Sequence, residues 1–350
     1  MFDALLCRWV PLAAALLLNG CSTLDYYSHL AGGQLHLLQA REPIAELLEN
    51  PSADPELKQR LALAQQARDF ASAQLNLPDN DSYRLYADIQ RPFVVWNVFA
   101  TPEFSLSPEL HCFPIAGCVA YRGFYSQGRA RGAAALLKQQ GLDTYLGGVE
   151  AYSTLGWFDD PILNTMLRWS DERLVAVIFH ELAHQQLYVA NDTAFNESFA
   201  SFVEREGLSQ WRIKQGLPPN DPQGEQQREQ FIALVLASRT RLQQLYASDL
   251  PPAQMRSGKQ AEIARLRAEY HALSKREWGG NGRYDDWINA PINNAKLLPF
   301  GLYDQWVPAF AVLFEQVERD WPRFYQRVAA LGELPERERH QALMDLSAGS

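Results

Sequence analysis

Among its 350 residues the chain has four cysteines, four methionines, no internal repeat, no low-complexity tract and no apolar run long enough to cross a bilayer as a helix. The missing repeats and tracts exclude solenoid, collagen-like and disordered classes. No stripe of lysine and arginine stands against the net charge of −9, so nothing is available to neutralise a row of phosphates and a nucleic-acid partner is not expected. A glycine-rich phosphate loop is also lacking, since Gly279-Gly280-Asn281-Gly282 reads as a turn between helices. No Gly-x-Ser-x-Gly elbow is present, which removes the serine hydrolases of that type. What remains is a composition of 47% hydrophobic and 21% charged residues, ordinary for a globular protein able to bury a large core.

The N-terminus reads as a targeting segment. Arg8 is followed by the short apolar run Val10 to Leu18, broken by Pro11, and residues 1–20 have the form of a secretory signal. Leu18-Asn19-Gly20-Cys21 resembles a bacterial lipobox, which implies a lipid anchor on Cys21. Ser22 behind it favours the outer membrane, facing the periplasm, in bacteria that sort by that position. Asp3 departs from the pattern by weakening the positive end of the signal. With Cys7 removed and Cys21 acylated, Cys112 and Cys118 remain, separated by Phe-Pro-Ile-Ala-Gly. That turn could bring them within disulfide reach, with a pair of buried free thiols as the other reading.

Helical periodicity dominates the mature chain. Residues 24–40, 43–49 and 55–75 read as helices, with Pro43 and Pro55 in first turns. A β-rich stretch follows, with strands expected over 93–99, on either side of the cysteine turn and over 144–152, and a helix at about 129–140. From Ser170 onward nearly everything reads as helix. Residues 225–247 and 259–277, separated by Pro251-Pro252, form a long helical hairpin. The fold class is therefore α+β, predominantly helical, with a small mixed sheet. No convincing linker appears, so residues 21–350 are read as one domain, with a metal-bearing core at about 90–210 and a helical part at about 211–350.

Within "FHELAHQ", residues 179–185, two histidines stand four apart with a glutamate directly after the first. Ser170 is a good N-cap, Asp171 and Glu172 complement the helix dipole, and Leu174 to Tyr188 holds no breaker, so the stretch is expected to be one helix. Four residues advance a helix by just over one turn, which puts His180 and His184 on one face and able to approach a single ion. Glu181 projects beside them, where it could act as a base on water without ligating. The flanking residues are apolar, and ionisable groups in a buried helix are costly unless a partner offsets them. A divalent cation is such a partner. Catalytic zinc takes three protein ligands, and the third is sought in "DTAFNESFA". Asp192 or Thr193 caps a second helix, and Glu197 in its early turns is the expected ligand.

"HELAH" followed by "FNESFA" resembles the gluzincin metallopeptidases. Twelve residues separate His184 from Glu197, fewer than in the well-known aminopeptidases of that clan. Together with "PIAGCVAYRGFY", "YLGGVEAYSTLGWFDDP" and "INNAKLL", these stretches resemble the bacterial family of zinc aminopeptidases called Aminopep over most of the mature chain. The resemblance implies one zinc ion on His180, His184 and Glu197, a gluzincin-like core, envelope exposure and peptide substrates. It also matches Gly147-Gly148-Val149-Glu150-Ala151 to an edge strand that binds the substrate backbone, making Glu150 the anchor for a free α-amine. Ala151 and Val149 depart from that clan's motif, leaving a solvated glutamate as the other reading. Tyr152 could orient the scissile carbonyl, and Tyr152, Tyr188 and Tyr303 are all open as oxyanion donors. Asn293 and Asn294 could serve the substrate or orient ligands, as could Ser201 and Glu204, although either of the last two also reads as an ordinary helix-face residue. The other five histidines read as structural or surface residues. Three functions follow: a zinc aminopeptidase, a zinc endopeptidase, and a non-catalytic envelope lipoprotein that keeps its metal for stability or binding.

Overall fold

The computed structural model describes residues 24–113, 117–151, 153–219, 222–301 and 304–348. Cys21, Tyr152 and Tyr303 lie outside the described residues, as does the signal segment. The chain opens with helix α1 over 24–39, then β1 (Arg41–Pro43), α2 (Ile44–Glu49) and α3 (Pro55–Leu75). Helix α3 starts where Asp54 accepts the backbone N–H groups of Glu56 and Leu57, and it stops at Asn76, which takes a left-handed conformation. Strands β2 (Leu85–Ala87), β3 (Val95–Pro102), β4 (His111–Phe113), β5 (Gly117–Val119) and β6 (Tyr121–Phe124) precede helix α4 (Gln127–Gln139), strand β7 (Leu142–Val149) and strand β8 (Ile162–Leu163). The remainder is helical: α5 (Asp171–Gln186), α6 (Thr193–Lys214), α7 (Pro222–Tyr246), α8 (Pro252–Glu277), α9 (Asp285–Asn289), α10 (Asn294–Leu297), α11 (Val307–Gln316), α12 (Trp321–Gly332) and α13 (Glu336–Ala348). The molecule is thus mostly helical with small sheets, an α+β arrangement. No helix among the described residues is long and apolar enough to cross a membrane.

Three small sheets are present among the described residues. One has the order β1-β2-β8, a second is the antiparallel sheet β6-β3-β7, and the third is the β4–β5 hairpin. In the second sheet β7 pairs along its full length with β3 and forms an edge, so among the described residues no strand lies beside its outer row of backbone groups. Helix α10 pins the start of this edge: the Asn293 side-chain amide donates to the Thr144 carbonyl at 2.9 Å, and the Asn294 N–H donates to Asp143 at 2.9 Å. Asn294 is fully buried, and its side-chain amide donates to the carbonyls of Glu103 and Ser105. The Asn293 oxygen accepts the Lys296 N–H and the Asn294 oxygen the Tyr246 hydroxyl, so both side chains are engaged in holding β3, β7 and α7 together.

The largest core gathers α3, α5, α6, α11 and α12 around Phe179, Phe195, Phe199, Phe310, Phe314 and Phe324. Each such side chain, taken from water to full burial, contributes about 1.5–3 kcal/mol. Close approach within this core depends on Gly207 of α6. A Cβ there would stand 2.7 Å from Leu75 and 2.9 Å from Phe179, so any larger residue would push α6 away from α5. A second core lies between α7, α8 and α9, built on Phe231, Val235, Leu266, Tyr270 and Ile288.

Candidate functional site

Helix α5 begins where the Ser170 hydroxyl accepts the Arg173 N–H at 3.4 Å, with Asp171 and Glu172 in the first turn. Its run from Leu174 to His184 is buried almost throughout, and His180, Glu181 and His184 are buried with it. Helix α6 is capped by Asp192, whose Oδ1 accepts the Phe195 N–H at 3.0 Å. The connecting turn is closed by Asn196, which bonds both the N–H and the C=O of Val189 at 2.8 and 2.7 Å. It is also gripped from two sides. Asn191, in a left-handed conformation, accepts the Cys118 N–H at 2.8 Å, and a Cβ on Gly117 would collide with the Asn191 side chain. From the other side Arg339 and His340 of α13 bind Oδ2 of Asp192 at 2.8 and 2.9 Å.

With the turn so fixed, α6 folds back along α5 and brings Glu197 to the two histidines. Glu197 Oε2 stands 3.5 Å from His180 Nε2 and 3.7 Å from His184 Nε2, and one donor atom from each residue lies within 4.8 Å of the others. Two ligand atoms each about 2.1 Å from one ion at a tetrahedral angle stand about 3.4 Å apart, so the spacing and the two-imidazole, one-carboxylate donor set fit a zinc-type site. The imidazoles are nearly perpendicular, with centroids 4.9 Å apart. Glu204, two turns along α6 from Glu197, places Oε2 2.9 Å from Nδ1 of His180. A carboxylate there accepts a hydrogen bond from Nδ1–H, which keeps the proton on Nδ1 and leaves the Nε2 lone pair free for a cation. Nδ1 of His184 is buried with no partner among the described residues.

The electrostatics reflect the crowding. Burial opposes charge on His180, but hydrogen bonds from its ring to the carboxylates of Glu197 and Glu204 outweigh it and hold its pKa well above the usual value. Burial likewise works to raise Glu197, yet the two imidazoles bring it down to about 2. Glu181 lacks such compensation: burial pushes it up, and Glu197 and Glu204 add to that against the pull of the histidines. A carboxyl poised above its ordinary range, one residue from a ligand, suits transfer of a proton. Burial also raises the phenols of Tyr121 and Tyr188, and nearby Glu197 raises both further. Both phenols therefore stay protonated hydrogen-bond donors beside the triad.

The other residues singled out in the sequence fall around this centre. Glu150 follows the last residue of edge strand β7, and its carboxylate accepts the Trp169 indole N–H at 2.7 Å and the Arg173 guanidinium at 3.0 Å. Arg173 in turn stacks on Trp169. Cys112 and Cys118 face each other across the β4–β5 hairpin and are joined by a disulfide. One feature escaped the sequence reading: Tyr121 is brought near the triad only by β6, through contacts no local pattern announces. Glu204, open in the sequence between orienting a ligand and lying on an ordinary helix face, contacts His180, and its signal is local, since seven residues after Glu197 is two turns along the same helix face.

Two histidines and a carboxylate on paired helices, with an unliganded glutamate between the histidines, define a candidate metal site of the kind hydrolases use. The model of the Aminopep family, described as "Putative aminopeptidase", matches residues 25–343, and the chain belongs to that family. No curated protein matches the chain. No solved structure matches it either.

Proposed function

We propose that the protein is a gluzincin-like zinc aminopeptidase of the bacterial envelope, anchored through lipid on Cys21 to the outer membrane and facing the periplasm. The observation that carries this reading is the convergence of His180, His184 and Glu197 on one point, with Glu181 beside them. Zinc bound there supplies a Lewis acid that polarises the scissile carbonyl and acidifies water. Glu181 takes a proton from the attacking water and passes it to the leaving nitrogen. Glu204 holds His180 in the tautomer that presents Nε2. Tyr121 and Tyr188 are the described phenols placed to donate to the developing oxyanion. The outer edge of β7 offers backbone groups to an extended substrate, and Glu150 at its end meets the α-ammonium group.

A zinc endopeptidase is the second reading, and one observation favours it. The Glu150 carboxylate is already engaged by Arg173 and Trp169, so an amine must compete with a guanidinium for it. Hydrolysis of free-amine aminoacyl amides and of their N-acetylated counterparts by the zinc-loaded protein separates the two. Cleavage of free-amine substrates alone, lost in Glu181→Gln with zinc retained, is the aminopeptidase outcome. Equal cleavage of blocked substrates makes it an endopeptidase, and zinc binding with no hydrolysis across the panel returns the site to a structural role.

A further inference from the structure

The stripe of α5 that carries His180 continues toward the helix start through Val177 and Arg173, and the stripe of α6 that carries Glu197 continues through Ser201 and Glu204. Both run into a cavity of about 600 Å³ between α5, α6 and the beginning of α7. Glu204 joins it to the metal triad, touching His180 with one oxygen while its side chain remains one-third exposed. Five arginines and four carboxylates line the cavity, a cationic surplus in a protein whose net charge is −9. Moreover the acids are shared or engaged. Arg205 and Arg228 share the carboxylate of Asp304, Arg228 also holds Glu225 at 3.0 Å, Arg212 holds Glu172, and Glu204 is held by His180; among the described residues Arg283 has no carboxylate and donates to the Gly224 carbonyl at 3.1 Å. An adjoining cavity of about 590 Å³ shares Arg205, Arg228 and Asp304 and has apolar walls from Phe202, Ile232, Leu236 and Val307.

A further carboxylate entering between Arg228 and Arg283 would give Arg283 the anion it lacks, in the bidentate manner arginine favours, and would lie beside the Arg228 guanidinium that Glu225 and Asp304 already hold in place. We infer that this cavity receives the free α-carboxylate of a short peptide, on the leaving-group side of the scissile bond, with an apolar terminal side chain in the adjoining space. An extended residue spans about 3.3–3.6 Å, and the cavity begins one imidazole away from the metal ligands, so one or two residues reach it beyond the cleaved bond. The substrates are then dipeptides and tripeptides rather than long chains. The inference rests on the peptidase reading for which bond is cut, but the carboxylate site can be read without turnover.

The test is calorimetric titration of the full-length, zinc-loaded Glu181→Gln protein with L-alanyl-L-leucine and with L-alanyl-L-leucinamide. The free acid is expected to bind at least tenfold more tightly than the amide. Adding Arg228→Gln should shrink that gap to threefold or less, and Arg283→Gln, at the exposed rim, should narrow it without disturbing the Asp304 cluster. Equal binding of acid and amide, binding of neither, or a gap untouched by both arginine variants overturns the carboxylate site. Hydrolysis of alanine p-nitroanilide by the wild-type protein is measured separately. Its absence would count against the aminopeptidase reading, while the acid–amide gap decides the cavity on its own.

Discussion

Helices α5 and α6 bury nearly everything on their facing sides, two histidines and two glutamates included, whereas the longer pair α7 and α8 buries mainly an apolar strip and, Lys259 on Asp143 apart, keeps most of its charge toward the outside. In the outer pair the ions meet at partly exposed positions, as where Arg241 bridges Glu262 and Glu269 and Arg265 reaches Glu269 four residues on. Such contacts are individually worth little. On the facing sides of the inner pair the charges have left water, at a cost of several kcal/mol per ion, and three of them have a named partner: Glu204 for His180, Arg339 for Asp192, the imidazoles for Glu197. The cluster of buried charges marks the candidate site, while single buried cations such as Arg68, which binds the Ser82, Pro78 and Asn80 carbonyls, serve packing elsewhere. The outer hairpin shows what the same kind of helix looks like when only packing is asked of it.

The contrast can be broken most forcefully at Asp192. Asp192→Ala removes the α6 cap and leaves Arg339 buried without its carboxylate, and denaturant unfolding should record a loss of about 3–5 kcal/mol. Less than about 1 kcal/mol would mean the clasp on the turn is decorative. Next comes pH. Burial raises Asp160 from 3.8 to about 7 and Glu181 pushes the same way, so the folded state holds a proton there that the unfolded chain has released. Stability from this group is complete below about pH 4 and declines as pH rises through 7, by up to about 1.4 kcal/mol per unit. Asp160→Asn should flatten that slope and make the protein more stable than wild type at pH 8. An unchanged profile would place the titration elsewhere. Glu204→Gln sharpens the comparison inside the site: competition with a chelator should show zinc affinity falling about 10–100-fold, with the helices intact. At the small end, Arg265→Ala in the outer hairpin should cost no more than about 0.5 kcal/mol in the same unfolding experiment.

The features visible in the sequence are the local ones. Ser170 and Asp192 announce their helices because capping is settled within three residues, and His180, His184 and Glu197 converge because helix pitch and one short turn decide their spacing. Most anticipated elements fall within a few residues of where periodicity sets them, with α5 stopping two residues before Tyr188 and β7 ending at Val149, but α8 starts at Pro252, seven residues before the expected 259, and the short strands β1, β2 and β8 carry too few residues for a pattern and are not anticipated. What the sequence hides is long-range. Asn191 meets Cys118 across 73 residues, and Thr144 meets Asn293 across 149. Glu150 is claimed by Arg173 and Trp169 only once β7 lies over the start of α5. Tyr121 enters the site because β5 and β6 are docked there by that same asparagine, and no spacing rule reaches so far.

The grip of α13 on Asp192 also sets an order of events in time. Arg339 is made 147 residues after the aspartate it holds. During synthesis or export the two metal helices exist for seconds before the clamp on their turn has emerged, at roughly 5–20 residues per second. Over that interval the capping carboxylate has no cation beside it and the turn is held from one side only. The peptidase proposed here would therefore acquire a rigid centre late, after the chain that precedes it has cleared the machinery that makes it, so a nascent molecule is poorly equipped to cut its neighbours.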